Sequence, residues 1–315
     1  MVQVYEEPYA KRHYAGRFTP AYCFPCCSSL IFIIVAFVIA LSTGQLWIKS
    51  HTFLHQPDVK FTYEMLVVME TNVPGQEKVW STVDRINTLY HEKVAAVDVQ
   101  ATEQDINYDG KTDIIDVLVT SRGVTPVHSV KLLMGFDYSV EGEADLDMRT
   151  LAYLTHSSAL PGSALYVDGD LRLKQREPLT AGSSNNAYEG VQGSPFADFV
   201  QSADGTSGIA TLGLNGIFNR YLFRNETTYY DYSYPVWKAG SGDVFEVRAR
   251  VRVPSHENIV FRPAPLTIAK FGWVQVFAII YPLLWLLRKA EWVIFHYRVL
   301  QTRVVSDITP KMHKF

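Results

Sequence analysis

The chain has 315 residues and a formal net charge of −3 at pH 7, from 29 Lys and Arg against 32 Asp and Glu. This length suits one or two globular domains. A slightly acidic chain without a dense basic cluster lacks the surface that nucleic acids require, so we expect no nucleic-acid partner. Apolar residues make up 48% of the chain, and two uncharged stretches of membrane-spanning length concentrate them.

The first uncharged stretch, Cys23–Ile48, contains a fully apolar core at residues 30–41. A transmembrane helix needs about 20 mostly apolar residues. A cleaved signal peptide is the alternative, because a basic region precedes the apolar core. The long segment before the core and the uncharged continuation through Trp47 favour an uncleaved helix. We predict a transmembrane helix over residues 25–48, preceded by a tail of residues 1–24.

The second uncharged stretch, Phe271–Leu287, lies between Lys270 and Arg288. Basic side chains at helix ends can reach the membrane interface, where Trp and Tyr are also common. A buried core helix is the alternative, but this stretch is apolar on every face. We predict a second transmembrane helix over residues 268–288, followed by a tail of residues 289–315.

Both tails carry basic residues, which are Lys11, Arg12, Arg17, Arg288, Lys289, Arg298, Arg303, Lys311 and Lys314. Basic residues near the ends of membrane helices stay on the cytoplasmic side. Both tails are therefore predicted to be cytoplasmic, with residues 49–267 forming an extracellular or luminal domain. The "NET" acceptor sequence at Asn225 lies in this domain, where N-glycosylation is topologically allowed.

All three cysteines, Cys23, Cys26 and Cys27, lie at the predicted cytoplasmic end of the first helix. The outer domain is therefore predicted to rely on its hydrophobic core rather than on disulfides. Cys26 and Cys27 are placed like juxtamembrane cysteines that accept palmitate. Two small apolar residues at a helix end are the alternative. A zinc site is not expected, because no further Cys or His completes the cluster.

The segment between the two helices has the patterns of β-strands. Val59–Met69 is rich in β-branched and aromatic residues, and Asp243–Val253 alternates apolar with polar residues, as half-buried strands do. Asp168–Gly169 suggests a hairpin turn. Several short strands separated by turn signals predict a mainly-β extracellular domain, an antiparallel sandwich in type.

The stretch "DINYDGKTD" alternates oxygen-bearing side chains around one glycine. Short loops that bind calcium use this spacing. The predicted ligands are Asp105, Asn107, Asp109, Lys111 through its backbone carbonyl, and Asp113. Predicted strands flank the loop, so it is not an EF-hand and resembles the strand–loop–strand calcium loops of integrin-type repeats. A turn in which Asp and Asn cap backbone amides is the alternative. We predict that calcium binds here in a structural role.

Other candidate sites are weaker. His51 and His55 are four residues apart, a spacing that binds metal from one helical face, although an interfacial polar face is the favoured interpretation. The aromatic run Thr227–Trp237 is either a binding patch or a strand that packs its tyrosines against a sheet, and we favour the strand. No nucleotide-binding, zinc-protease or serine-hydrolase motif occurs in the sequence, so we do not expect an enzyme.

Several strings together resemble one family. In chain order they are "NYDGKTD", "PGSALYVDGDLRLKQREPL", "SPFADF", "RNETT" and "KFGWVQVFAIIYPLLWL". Their order, the chain length and the two-helix layout are similar to those of the transmembrane protein 231 family.

This resemblance implies a function that composition and periodicity do not. Members of that family belong to the Meckel syndrome or tectonic-like complex of the ciliary transition zone, with B9-domain, tectonic and Meckel syndrome membrane proteins as partners. That complex is a diffusion barrier that controls ciliary membrane composition and acts in cilium assembly, and in animals in Hedgehog signalling. The alternative function is a calcium-dependent cell-surface binding or adhesion module. An ion-channel subunit is disfavoured, because neither uncharged stretch, Cys23–Ile48 or Phe271–Leu287, carries a charged residue that would mark an ion pathway.

Overall fold

The computed structural model describes residues 11–44, 47–124, 126–182, 184–196 and 214–306. The chain forms two compact units. One unit consists of the two terminal segments, up to Lys49 and from Pro265 onward, and the other of Ser50–Ala264. The second unit lies within the range of 49–267 predicted for the outer domain, whose location outside the cell stays a prediction.

The described helices are α1 (Pro20–Ser42), α2 (Asp84–Leu89), α3 (Gly190–Gly193), α4 (Leu214–Phe223) and α5 (Pro265–His296), with a 3-10 turn at His91–Lys93. The strands of the first half are β1 (Lys11–Tyr14), β2 (His51–His55), β3 (Asp58–Glu70), β4 (Lys78–Ser81), β5 (Ala96–Gln104), β6 (Ile114–Arg122) and β7 (Val127–Val140). The strands of the second half are β8 (Asp145–Gln175), β9 (Leu179–Thr180), β10 (Ser184–Tyr188), β11 (Glu226–Tyr232), β12 (Val236–Ala239), β13 (Val244–Arg252), β14 (Glu257–Arg262) and β15 (Arg303–Ser306).

The predicted fold class is confirmed, because α1 and α5 are two helices long and apolar enough to cross a membrane and they flank a mostly β unit. The helix ends differ from the predicted spans of 25–48 and 268–288. Helix α1 begins at Pro20, whose fixed φ suits a first helical position. It ends before Gly44, which adopts a φ of +68° and donates its N–H to Leu41 O at 3.1 Å. The spans were predicted from apolar residues, whereas proline and glycine set the ends of α1.

Helices α1 and α5 pack through small side chains. Ala36 and Ala40 of α1 are fully buried, as are Gly272 and Val276 of α5. Residues four apart lie on one face of a helix, and small residues there let two membrane helices approach closely. Beside this contact the unit leaves an apolar groove of about 480 Å³.

The terminal unit also contains a two-stranded ribbon that the sequence did not predict. Strands β1 and β15 pair antiparallel, with Lys11 opposite Ser306 and Tyr14 opposite Arg303. The segments before α1 and after α5 are therefore held together by backbone hydrogen bonds.

The second unit is built on two sheets. The larger sheet has the strand order β4-β3-β7-β8-β13-β6-β5, and β10, β11 and β12 also pair with β8. Most pairs are antiparallel, as predicted, but β10 and β13 run parallel to β8. The strands predicted on both sides of the acidic loop are confirmed as the antiparallel hairpin of β5 and β6.

The smaller sheet has the order β2-β14-β9 and joins the two ends of the unit. His51 at the start of β2 lies opposite Phe261 near the end of β14. The rings of Phe53 and Phe261 meet edge to face at 5.5 Å. Gln175 extends this sheet through its side chain, since its amide donates to Val260 O at 3.1 Å and accepts from Val260 N at 2.8 Å. The chain thus enters and leaves the unit side by side.

Strand β8 is continuous over 31 residues, so the turn predicted at Asp168–Gly169 is wrong. Gly169 lies in register with Tyr232 of β11 and Val251 of β13. A Cβ added at Gly169 would lie 2.4 Å from Asp231 O. This glycine therefore serves the close approach of a neighbouring strand, which is the other common use of glycine within strands.

The central strands are buried on both faces. In β3, Met65, Val67 and Met69 face the main core, whereas Leu66 and Val68 belong to a second cluster. That cluster includes Ile86 of α2 and Ile217 of α4, together with Phe196. Strands covered on both faces contain continuous apolar runs, which explains the sequence of residues 65–69.

We predict that Gly162→Ala destabilises the protein. A Cβ at Gly162 would lie 2.2 Å from Cζ2 of Trp237, and forcing extra atoms into a packed core typically costs about 1–3 kcal/mol. Gly216 of α4 has nothing within 4 Å of an added Cβ. Gly216→Ala is therefore the matched control and should stabilise by roughly 0.5–1 kcal/mol. Thermal unfolding of the intact protein in detergent measures both changes, and equal melting temperatures for the two variants would contradict the prediction.

Candidate functional site

The acidic loop between β5 and β6 is anchored by Asp113. Its Oδ2 accepts hydrogen bonds from the backbone N–H groups of Ile106 at 2.9 Å and Asn107 at 3.3 Å. Its Oδ1 accepts from the side-chain amide of Gln56 at 2.9 Å. The Asp113 carbonyl accepts from Val253 N at 2.8 Å. One aspartate therefore links the loop to the segment after β2 and to the end of β13.

The other predicted calcium ligands also bond to the loop backbone. Asp105 Oδ2 accepts from Gly110 N at 2.9 Å, Asn107 Oδ1 from Asp109 N at 3.0 Å, and Asp109 Oδ1 from Lys111 N at 2.9 Å. Gly110 adopts a φ of +85°, as expected of a glycine at a sharp turn. This geometry is that of a turn capped by its own Asp and Asn side chains.

Calcium binding at this loop stays a prediction. Among the described residues, no group of three or more His, Cys, Asp or Glu side chains is arranged to hold a metal ion. One oxygen of the loop is available as a cation ligand, because Asp105 Oδ1 is buried and has no hydrogen-bond partner. The other side-chain oxygens of the four Asp and Asn ligands already accept hydrogen bonds, so a bound ion would have to share them.

The two histidines lie on strand β2 and not on a helix, so metal binding from one helical face is wrong for this pair. His55 Nε2 is 3.2 Å from Lys111 Nζ, which also donates to Gln56 O at 2.7 Å. Burial, and then the charge of Lys111, lower the pKa of His55. The neutral imidazole is therefore favoured, and it can accept the lysine's hydrogen bond.

Arg224 of the "RNETT" string is a buried anchor. Its guanidinium donates to the carbonyl groups of Arg149 at 3.0 Å and Gly193 at 2.9 Å. It also lies 4.6 Å from the ring centroid of Tyr188. Asn225 is exposed next to it, at the turn before β11, and its glycosylation stays a prediction.

A polar network within the second core centres on Tyr221 of α4. Its hydroxyl oxygen accepts from Thr228 N of β11 at 2.7 Å and from Leu151 N of β8 at 3.2 Å. The same hydroxyl lies 2.6 Å from Thr150 Oγ1. Tyr221 and Thr150 are both buried. One phenol thus joins a helix to two strands.

The aromatic run Thr227–Trp237 serves the sheet, as favoured from the sequence. Among the described residues, β8 has a strand partner on one side only between Arg149 and Pro161. Tyr232 caps this open edge, since its hydroxyl lies 3.1 Å from Thr155 N and 2.8 Å from Thr155 O. Trp237 Nε1 donates to Leu160 O at 3.1 Å. These side chains replace a missing strand.

The "SPFADF" string contributes to packing where it is described. Ser194 Oγ donates to Glu64 Oε2 at 2.5 Å, and Phe196 is almost fully buried in the second core. Residues 197–199 of this string lie outside the described residues. Sequence patterns gave no sign of these contacts, because they join residues far apart in the chain.

Charged side chains on the outer face of the larger sheet are largely paired. Arg250 bonds Asp116 through Nε at 2.9 Å and Nη2 at 3.2 Å, and Arg252 Nε lies 2.7 Å from Asp168 Oδ1. The bond to Asp116 raises the pKa of Arg250. These pairs cross from β6 to β13 to β8, so they stabilise the sheet where it includes a parallel pair.

The three cysteines of α1 are exposed and not joined by disulfides. Cys26 and Cys27 are therefore sterically open to lipid attachment, which stays a prediction.

Fold and contacts together define a membrane protein with two candidate spans and a mostly β unit between them. The sequence profile of the family described as "Transmembrane protein 231" matches residues 1–304. The chain belongs to this family.

Relatives support the assignment over the full length. The transmembrane protein 231 of Xenopus tropicalis is 29% identical over 321 aligned residues, which cover 100% of this chain and 98% of the relative. The human protein is 29% identical, covering 99% and 96%, and the Gallus gallus protein 31%, covering 87% and 84%. A solved proton-activated chloride channel aligns over 87% of this chain at 7% identity, and its TM-score of 0.27 is too low to establish a common fold.

We predict that Tyr221→Phe lowers the free energy of unfolding by about 2–4 kcal/mol, because two buried N–H groups lose their acceptor. The matched control is Tyr229→Phe in β11. Tyr229 is 47% exposed, so loss of its hydroxyl leaves no buried group without a partner. Chemical denaturation of the intact protein measures both variants. A loss for Tyr221→Phe no larger than for the control would contradict the proposed network.

We expect millimolar calcium to raise the melting temperature of the intact protein. The Asp105→Asn variant should lose this rise, since Asp105 carries the buried oxygen without a partner. Asp98→Asn in the exposed part of β5 controls for a general loss of negative charge. An unchanged melting temperature of the wild-type chain would contradict calcium binding and leave the loop as a self-capped turn.

Proposed function

We propose that this protein is a structural subunit of the ciliary transition-zone membrane complex. In this role it would contribute to the diffusion barrier that controls ciliary membrane composition, to cilium assembly and, in animals, to Hedgehog signalling. The full-length match to the transmembrane protein 231 family supports the proposal.

One observation favours a scaffold over a catalytic role: polar side chains of the β unit form hydrogen bonds with the protein's own backbone. The Tyr221 hydroxyl, the Arg224 guanidinium and the Asp113 carboxylate all bond to the backbone of the protein itself. Groups that hold the fold in this way are poorly placed to act as acids, bases or nucleophiles, which need access to a substrate.

The proposal includes an orientation and modifications. Both tails would lie in the cytoplasm and the β unit outside the cell, as the basic tails favour. Asn225, which is exposed, would carry a glycan, and Cys26 and Cys27 would carry palmitate. B9-domain, tectonic and Meckel syndrome membrane proteins would be the partners.

A calcium-dependent surface binding or adhesion module is the second candidate. The buried, partnerless Asp105 Oδ1 favours it. Under this alternative the protein would be distributed over the plasma membrane, and its binding would depend on external calcium.

Localisation separates the two candidates. We expect a tag after Phe315 to give a ring confined to the ciliary base in super-resolution images of ciliated cells. Deletion of the protein should also displace other transition-zone membrane proteins, and the wild-type chain should restore them. An even plasma-membrane signal, or undisturbed partners after deletion, would contradict the scaffold proposal.

A further inference from the structure

The ribbon of β1 and β15 gathers the basic residues of both tails. It is fixed to the end of α5, because His13 Nδ1 lies 3.0 Å from Thr302 Oγ1 and the His13 ring lies 5.6 Å from that of Phe295. Tyr14 and Arg303 are directly opposite each other in the ribbon. Two tails separated by more than 280 residues in sequence are therefore joined next to the end of α5.

This surface is strongly basic. Among the described residues before α1 and from Arg288 onward, the basic residues are Lys11, Arg12, Arg17, Arg288, Lys289, Arg298 and Arg303. Glu291 is the acidic residue of the same segments. Arg17, Arg298 and Arg303 are exposed, and no ion pair joins them to a described carboxylate. The charges of these three arginines are thus not neutralised by carboxylates within the described part of the chain.

Exposed aromatic and apolar side chains alternate with these charges. Phe18, next to Arg17, is 94% exposed, and Tyr297, next to Arg298, is 71% exposed. Phe18 lies two residues before the first residue of α1, and Arg298 lies two residues after the last residue of α5. Both have positive φ values, of 70° and 52°. Aromatic rings beside cations at the ends of apolar helices suit the membrane–water interface, where the ring lies among lipid headgroups.

We propose that these residues form a binding surface for anionic phospholipid headgroups. The headgroup surface consists of Tyr14, Arg17, Phe18, Arg298 and Arg303. Its arginines bind lipid phosphates, for which guanidinium groups have matching geometry, and its aromatic side chains enter the interface. Charge complementarity selects this occupant, because the anionic leaflet of a membrane attracts basic clusters next to membrane helices. The inference requires that α1 and α5 lie in a bilayer, but not a ciliary location.

Pairing of the tails strengthens such a surface. An arginine on a flexible tail would lose backbone freedom on binding, whereas the backbone of Arg303 is already ordered in β15. Each tail is joined to a membrane helix and, through the ribbon, to the other tail. This keeps its cations within a Debye length of the headgroups, where the attraction acts.

The test uses the intact protein in detergent micelles, titrated with short-chain phosphatidylserine or phosphatidylcholine. We expect phosphatidylserine to bind and to raise the melting temperature, and phosphatidylcholine to have little effect. Neutralising two basic residues in Arg298→Asn with Arg303→Gln should raise the half-saturating phosphatidylserine concentration roughly thirtyfold. Asparagine is chosen because it tolerates the positive φ at this position.

The matched control removes two positive charges from the β unit, in Lys238→Gln with Arg122→Gln, both exposed and distant in sequence from α1 and α5, and should leave lipid binding unchanged. A second variant, Arg17→Gln with Arg298→Asn, spares the ribbon strands and should also weaken binding, so a folding defect in β15 cannot mimic the result. An equal response to both lipids, equal binding of glycerophosphoserine without acyl chains, or unchanged binding by both variants would overturn the proposal. A location away from the cilium would contradict the proposed function but leave this result intact.

Discussion

The antiparallel pairing of β2 with β14 is the constraint that closes the β unit. This pairing places His51, at the start of the unit, opposite Phe261, near its end. The contact between Phe53 and Phe261 and the two bonds from Gln175 hold β14 in place. Glu257 adds a tie to β8, where it accepts from Leu173 N at 3.3 Å, although burial raises the pKa of this carboxyl.

Strand β8 connects the rest of the unit because nearly every other strand of the larger sheet pairs with it or with its neighbour. Where β8 lacks a second strand, the side chains of Tyr221, Thr228 and Tyr232 form hydrogen bonds with the backbone groups that no strand pairs. Buried backbone groups left without partners would be costly. Arg224 and Thr228 of the "RNETT" string thus serve packing and hydrogen bonding.

Local patterns predicted much of this structure. The apolar stretches became α1 and α5, and the alternation of residues 243–253 became β13. Two short motifs misled for a related reason. The turn inferred at Asp168–Gly169 gave way to strand pairing on both sides of β8, and the helical spacing of His51 and His55 gave way to the pairing of β2 with β14. The ribbon, the edge-capping tyrosines and the buried Arg224 join residues distant in sequence, so no local period reveals them. In the acidic loop, the same Asp and Asn residues fit both a calcium-ligand pattern and a capped turn. Only the atomic contacts show whether their oxygens accept hydrogen bonds or are open to an ion.

A cysteine pair tests the central claim, that the β unit is closed by β2 and β14 outside the cytoplasm. Thr52 and Val260 are partners in register, and Thr52→Cys with Val260→Cys should form an intrachain disulfide in cells without added oxidant, detected as a linked peptide by mass spectrometry. Such bonds form in the oxidising secretory compartment and not in the cytosol. The register-shifted pair Thr52→Cys with Asn258→Cys should give little of it. A bond that needs added oxidant would contradict the orientation, and equal bonding of both pairs, or none with oxidant, would contradict the pairing.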